Sequence, residues 1–175
     1  MTPPVGWIFS SMTLLLKADV DETSLTGRIA AGLDTYAVVE NLIALYAFEK
    51  EIFGARPSVG VFLPVGYAKV EIDFLSVEPP GMSGRRQEDG YGVGDLTAIP
   101  LSLFWEFDEL DLHVNAYELV VIPSGQYDND DIVNMSRNYW SFDTVVATTW
   151  LSEKTGTEIS AVQGLMANTE NEQTD

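Results

Sequence analysis

The sequence has no cysteine. That absence removes disulfide scaffolds, thiolate metal sites and thiol nucleophiles together. Histidine is nearly absent too, so any catalytic triad or histidine metal site would have to be built on His113, the single one. Basic residues are scarce: 9 lysines and arginines stand against 27 aspartates and glutamates, a net charge of -18. Such a surface repels nucleic-acid phosphates, which excludes nucleic acid as a partner, and it repels anionic membrane surfaces as well. No apolar run approaches the roughly 20 residues of a spanning helix. The opening "MTPPVGWIFSSMTLLLKADV" carries no basic leader and no small-residue cleavage site, so it does not read as a secretion signal. Helical spacing is hard to find anywhere in the chain.

What is present is two-residue alternation, in segments of about ten residues separated by Gly, Asp, Asn, Pro and Glu. In "SVGVFLPVGYAKVEIDF" the odd positions Val59, Val61, Leu63, Val65 and Tyr67 are apolar. The even positions Ser58, Gly60, Phe62, Pro64, Gly66 and Ala68 are small or mixed. "GVGDLTAIPLSLFWEF" repeats the arrangement, with Thr97, Ile99, Leu101, Leu103, Trp105 and Phe107 opposite Leu96, Ala98, Pro100, Ser102, Phe104 and Glu106. "LDTYAVVENLIALYAFE" and "LDLHVNAYELVVI" are apolar with polar residues embedded: Glu40, Asn41, Asn115 and Glu118. "DTVVATTWLS" leaves its faces unassigned, and "TEISAVQGLMANT" and residues 6 to 17 bring the count to about seven strands. The fold class is all-β, with residues 1–175 as one domain.

The connections alternate in character. "FDELD" and "LSEKTGTE" are short and polar, whereas "SVEPPGMSGRRQEDGYGVGD" and "PSGQYDNDDIVNMSRNYWSF" are long. Tight turns at one end and long loops at the other describe an antiparallel transmembrane β-barrel. Strands of about 9 to 11 residues are what a tilted strand needs to cross hydrocarbon. Pro64 and Pro100 share the parity of the mixed face, which would turn their rings inward, where a wet lumen or a bulge tolerates the lost donor. Trp7, Phe9, Tyr67, Trp105 and Phe107 stand at strand ends, as interfacial girdles do. On this reading Val59, Val61, Leu63, Ile99, Leu101 and Leu103 face lipid, and Phe62, Pro64, Ser102, Phe104 and Glu106 line the pore. The rival is a soluble β-barrel or sandwich binding an apolar ligand, in which the same oily rows point inward.

Other chemistry is thin. His113 shares a face with Asn115, the residues an outer-membrane lipase would use, but no motif places a serine beside them; a histidine lining a polar lumen is the simpler reading. The loop 126–133 concentrates Asp128, Asn129, Asp130 and Asp131 without calcium-loop spacing, so it reads as a solvated acidic loop rather than a calcium site. "GYGVGD" lacks the helix and lysine of a phosphate loop. Arg85 and Arg86 read as a solvated pair in a long loop, the alternative being contact with lipopolysaccharide phosphates or anionic solutes. No cofactor and no metal is called for.

One constellation carries a resemblance. Gly92, Gly94 and Asp95 precede a strand holding Pro100 and Trp105. Pro123, Gly125, Tyr127 and Asp128 follow, then Asn134, Asn138, Trp140 and Phe142. With "PPVGWIF" and "IFGARPSVGVFLPV" earlier, most of the chain resembles the outer-membrane family known as the meta-pathway of phenol degradation proteins. Ser124 stands where that family usually has threonine, and Ser136 where glycine is usual. The resemblance implies an outer-membrane barrel that admits hydrophobic or aromatic compounds and catalyses nothing, with outer-membrane lipid as its surroundings. It also implies more strands than about seven, hence a fragment lacking a signal peptide and C-terminal strands. Solute, gating and oligomeric state stay open.

Overall fold

The computed structural model describes residues 2–25, 29–76, 83–152 and 154–171. Among these the strands are β1 (Gly6–Leu25), β2 (Ile29–Ala47), β3 (Arg56–Ser76), β4 (Ser83–Val93), β5 (Leu96–Phe107), β6 (Leu112–Ile122), β7 (Ser141–Ser152) and β8 (Thr157–Asn168). All pair antiparallel in one sheet, in the order β1-β2-β3-β5-β6-β7-β8, with β4 also on β3. Because β2 covers one edge of β3 along its length, β4 and β5 lie end to end on the other edge, β4 against Val65–Leu75 and β5 against Arg56–Phe62. The sheet therefore has seven lanes, and it curls into a half-barrel.

This arrangement corrects one expectation. "SVEPPGMSGRRQEDGYGVGD" is not one long loop: residues 83–93 are β4, an upward continuation of the β5 lane broken only at Gly94 and Asp95. Residues 77–82 of that stretch lie outside the described residues, as does Glu153 in "LSEKTGTE". The turns at the opposite end are tight. Ile52 and Ala55 bridge across Phe53 and Gly54, whose φ angles of 53° and 73° are those of a two-residue hairpin turn of matching twist. Asp108–Leu110 form a single 3-10 turn closed by Asp111 at φ 52°.

Cross-strand partners share a face, so the register sorts every side chain. Trp7, Phe9, Leu15, Val38, Leu42, Val61, Val65, Leu101, Val146 and Trp150 fall on one face. All but the half-buried Val38 are exposed, Phe9 by 74% and Leu15 by 69%. Val59, Leu63, Leu103, Trp105 and Phe107 belong to the same face. The opposite, concave face holds the buried Ala47, Ser58, Ile99, Ser102, Ser141 and Val145. A soluble barrel would close its oily rows around a dry core; here those rows are outside. Burying roughly 25 cal/mol of stabilisation per Å² in acyl chains rather than in protein is the membrane solution to the same sequence problem.

The β5 row breaks where the sequence hinted it would be stressed. Ser58 pairs with Ser102 and Gly60 with Ile99, so Val59 alone on β3 opposes Pro100 and Leu101. On the other side Glu118 and Leu119 oppose Ile99, Pro100 and Leu101. Pro100 thus sits in a β-bulge that adds one residue to β5 against both neighbours, and one extra residue exchanges the faces. Leu101, Leu103, Trp105 and Phe107 point outward as expected, but Thr97 and Ile99 point inward. Parity also fails to fix the ring of Pro100, which is exposed between buried Ile99 and Ser102. Pro64 has a different remedy. Its carbonyl accepts from Gly94 N at 2.8 Å, so its missing N–H faces the break between β4 and β5, where no ladder partner waits.

β1, β2 and β3 run 20, 19 and 21 residues, longer than hydrocarbon requires. Their surplus is polar on the outward face: Lys17, Asp19, Asp34, Lys69, Glu71 and Asp73 follow the row of Leu15, Val38, Tyr67 and Tyr91. The outward apolar band ends at that row, and Trp7 and Tyr46, with ring centroids 5.2 Å apart, mark its other border. Within the band, Glu40 and Glu118 are costly residues on the lipid side. Each is engaged by a threonine hydroxyl of the adjoining strand, Thr13 for Glu40 and Thr144 at 2.5 Å for Glu118.

Candidate functional site

The concave face is narrowed by the connection between β6 and β7, which folds back over it. Three concave-facing glycine positions on the β4–β5 lane receive this loop: a methyl at Gly90 would touch Val133 Cγ1 at 3.4 Å, one at Gly92 would overlap the Gln126 amide oxygen, and one at Gly94 would lie 2.9 Å from both Met135 O and Pro64 Cγ. Gly125 crosses so close to Gly94 that a side chain on it would lie 2.7 Å from the Gly94 carbonyl carbon. Glycine is required at this crossing for close approach rather than for an unusual dihedral.

Asp95 fastens both legs of the loop. Its Oδ1 accepts from Ser124 N at 3.1 Å and Gly125 N at 3.0 Å, and its Oδ2 from Arg137 N at 2.8 Å. The residue is 6% exposed, so these three amides replace its lost hydration. Ser124 Oγ accepts from Leu96 N at 3.0 Å, a role threonine's hydroxyl would fill equally. Ser136 is buried; its N donates to Gln126 O at 3.0 Å and its Oγ accepts from Asn138 N at 2.9 Å. The tip is braced from within. Asn134 Oδ1 accepts from Asp128 N at 2.7 Å, and Asp128 Oδ1 accepts from Asp130 N at 2.9 Å. Two contacts dock it on β4: Val133 N donates to Glu88 Oε1 at 2.9 Å, and Arg86 donates to Asp130 O at 2.8 Å. Above the apolar band, the amide of Val133 holds the Glu88 carboxyl below its ordinary range.

The Asp128 carboxylate and the backbone carbonyls of Asp130 and Asp131 serve the loop's own bracing and docking, and no group of histidine and acidic residues able to hold a metal occurs among the described residues. Arg85 and Arg86 are strand residues of β4, not a free loop pair. Arg85 grips Asp73 through two bonds of 2.6 and 2.8 Å, and Arg86 lies 3.2 Å from Glu88. Tyr127 Oη accepts from Asn171 at 3.1 Å, Asn138 donates to the same Asn171 at 2.8 Å, and Trp140 stacks on Phe142 at 6.4 Å. The sequence constellation therefore divides: Gly92, Gly94, Asp95, Gly125, Asp128, Asn134 and Asn138 build and seat the loop. Pro123 ends β6, Pro100 forms the bulge, and Trp105, Trp140 and Phe142 belong to the outward-facing set.

Phe62, Pro64, Ser102, Phe104 and Glu106 all fall on the concave face, with Asn41, His113, Asn115 and Tyr117 beside them. Ser102 Oγ donates to Asn115 Oδ1 at 2.8 Å. His113 Nδ1 lies 3.3 Å from Glu106 Oε1, within ion-pair distance, yet it is buried and has no aligned hydrogen-bond partner, a serine hydroxyl included. Sequence reasoning missed the N-terminal segment, which also crosses this face: Thr2 donates to Glu106 Oε2 at 2.7 Å and Arg56 donates to Pro3 O at 2.9 Å. No periodic signal marks such a crossing.

A family model, described as the MetA-pathway of phenol degradation, matches residues 18–175. The chain belongs to this family. No curated protein matches it in sequence. Among solved structures it is similar to the crystal structure of an outer membrane channel from Pseudomonas putida F1, with a TM-score of 0.70 and 20% identity over 97% of this chain. The chain spans 59% of that channel's length. The fold of this member of the phenol-degradation family is that of a β-barrel wall, as in that channel, with large apolar side chains on its outward face.

Proposed function

We propose that this family member forms part of the wall of an outer-membrane channel that passively admits small hydrophobic or aromatic compounds, in a setting of aromatic degradation. The single observation that carries the reading is the inward loop. A loop clasped by Asp95 and seated on glycines leaves a narrowed passage whose remaining wall mixes apolar and polar groups. Phe62, Pro64, Ser102, Phe104 and Glu106 are the proposed lining. Such a wall passes aromatic solutes because rings contact Phe and Pro while edges find hydroxyl and amide partners. The reading includes no catalysed step. It treats residues 1–175 as a single piece of a larger barrel, because an open sheet edge in lipid leaves backbone groups unpaired at several kcal/mol each.

The test uses the full-length protein in liposomes. Phenol and toluene should enter protein-containing vesicles several-fold faster than empty ones, and deleting residues 127–135 should widen the range of solute sizes admitted. Equal entry with and without protein would refute the proposal.

A further inference from the structure

We infer that the outward face of β6, β7 and β8 is a docking surface, within the bilayer, for a second copy of this chain. The inference rests on the membrane-wall reading above and is independent of the solute. Register gathers four hydrogen-bonding side chains on that face: Glu118 on β6, Thr144 and Thr148 on β7, and Gln163 on β8. Apolar cross-strand rows enclose them. Leu112, Trp150 and Ile159 lie toward the short-turn end, and Val120, Phe142 and Ala167 toward the long-loop end. Val146 and Leu165 stand exposed among them. A polar island thus sits inside an oily face, where acyl chains offer no hydrogen bond.

Glu118 shows that the island is unfinished. Both strands beside it are described: β7 supplies Thr144, which donates to Oε2 at 2.5 Å, while β5 presents the bulge at Pro100 and Leu101, which has no side-chain donor. Oε1 accepts from none of the described residues, and the Gln163 amide has no partner among them. An acid on a lipid-facing strand destabilises the single barrel, and a donor from outside would offset that cost. The island carries such a donor itself. A two-fold axis along the membrane normal through β7 sets β6 of each copy against β8 of the other, so Glu118 meets the amide of the partner's Gln163 and the reciprocal bond forms with it. The two side chains stand on adjacent rows, an offset that long side chains span. Ala116, Val146 and Ala161 between them are small enough for the walls to approach. Glu40, the other outward acid of the band, has Thr13, Ser11, Leu42 and Val65 around it and no amide, so its surroundings are not self-complementary.

The experiment uses full-length protein in liposomes, with single introduced cysteines for cross-linking and energy transfer between labelled copies at falling protein-to-lipid ratio. Oxidation should join Val146→Cys into covalent dimers, while Leu63→Cys, equally outward on β3, stays monomeric. Glu118→Leu and Gln163→Leu should each weaken association roughly tenfold or more, since either change removes a bond from both halves of the interface, and Glu40→Leu should leave it unchanged. Glu118→Leu should also refold into lipid at least as well as the parent. A purely structural Glu118–Thr144 bond would give the opposite pattern, poorer refolding with unchanged association. Should Glu118→Leu fail to insert, Gln163→Leu and the two cysteine variants decide. Equal dimer yields at Val146→Cys and Leu63→Cys, or association unchanged in Gln163→Leu, would overturn the interface. Protein that floats with the vesicles only as a monomer would overturn it while sparing the membrane reading; protein that does not float would sink both.

Discussion

Replacing Asp95 by alanine should release the inward loop. The carboxylate accepts three backbone N–H bonds, from Ser124, Gly125 and Arg137, at the two roots of the loop. At the low end for charged hydrogen bonds, about 1.5 kcal/mol each, the three sum to roughly 4.5 kcal/mol, and non-additivity among neighbours lowers this to about 3. The amides then face a buried void with no acceptor, so the loop must reopen to find water. Three kcal/mol is about a hundredfold in the opening equilibrium. Hydrogen exchange of these amides in the reconstituted full-length protein should therefore accelerate about a hundredfold in Asp95→Ala, and trypsin should cut after Arg137 where the parent resists. Asp95→Asn should fall between, since its amide oxygen still accepts from one leg. If protection at Ser124 and Arg137 were unchanged in Asp95→Ala, the clasp would not be what holds the loop, and the account of the constriction would fail.

Three further outcomes follow from the same geometry. Leu63→Arg, on the outward face, should cost about 2–4 kcal/mol in refolding into lipid, whereas Phe62→Arg, one residue away and inward, should cost little; equal costs would contradict the face assignment. Gly125→Ala should loosen the loop as Asp95→Ala does, because the added methyl meets the Gly94 backbone, and unchanged exchange at Arg137 would refute the close crossing. The hydrogen bonds of Arg85 hold the Asp73 carboxyl below its ordinary 3.8, so this pair stabilises the β3–β4 tip fully above about pH 3.8 and loses that contribution as pH falls through the lower folded value. Amide protection at the tip should drop in that acid window in the parent, and Arg85→Gln should remove the drop.

How far the sequence could be read depended on whether both faces of a strand met different surroundings. Residues 59–67 lie in the apolar band and add no residue of their own to the ladder, pairing with β2 without a break, so lipid on one side and lumen on the other left a clean alternation. Residues 97–107 carry a row that looks equally clean, but the bulge at Pro100 exchanges its faces midway, and Thr97 with Ile99 are inward. A proline at the centre of a strand was the one local sign of that break. β4, "SGRRQEDGYGV", was read as loop because it rises out of the band: water on one side and a docked loop on the other demand no oily row, so its alternation is silent. The loop constellation was legible only as a resemblance. Its physical sense, two glycines crossing under an aspartate that binds both roots of a loop, depends on pairs thirty and forty-two residues apart, which no local pattern encodes.

The central claim is the facing of these rows, and the absence of native cysteine makes it directly measurable. Single cysteines placed at Phe62, Leu63, Ile99, Leu101, Ser102 and Leu103 of the full-length protein in lipid can each carry a spin label, whose collision rates with oxygen and with a water-soluble nickel chelate report lipid and lumen. Leu63, Leu101 and Leu103 should favour oxygen, while Phe62, Ile99 and Ser102 should favour nickel, with the switch falling at Pro100. Nickel access at Leu63 and Leu103, or shielding of all six from both reagents, would contradict an outer-membrane channel wall.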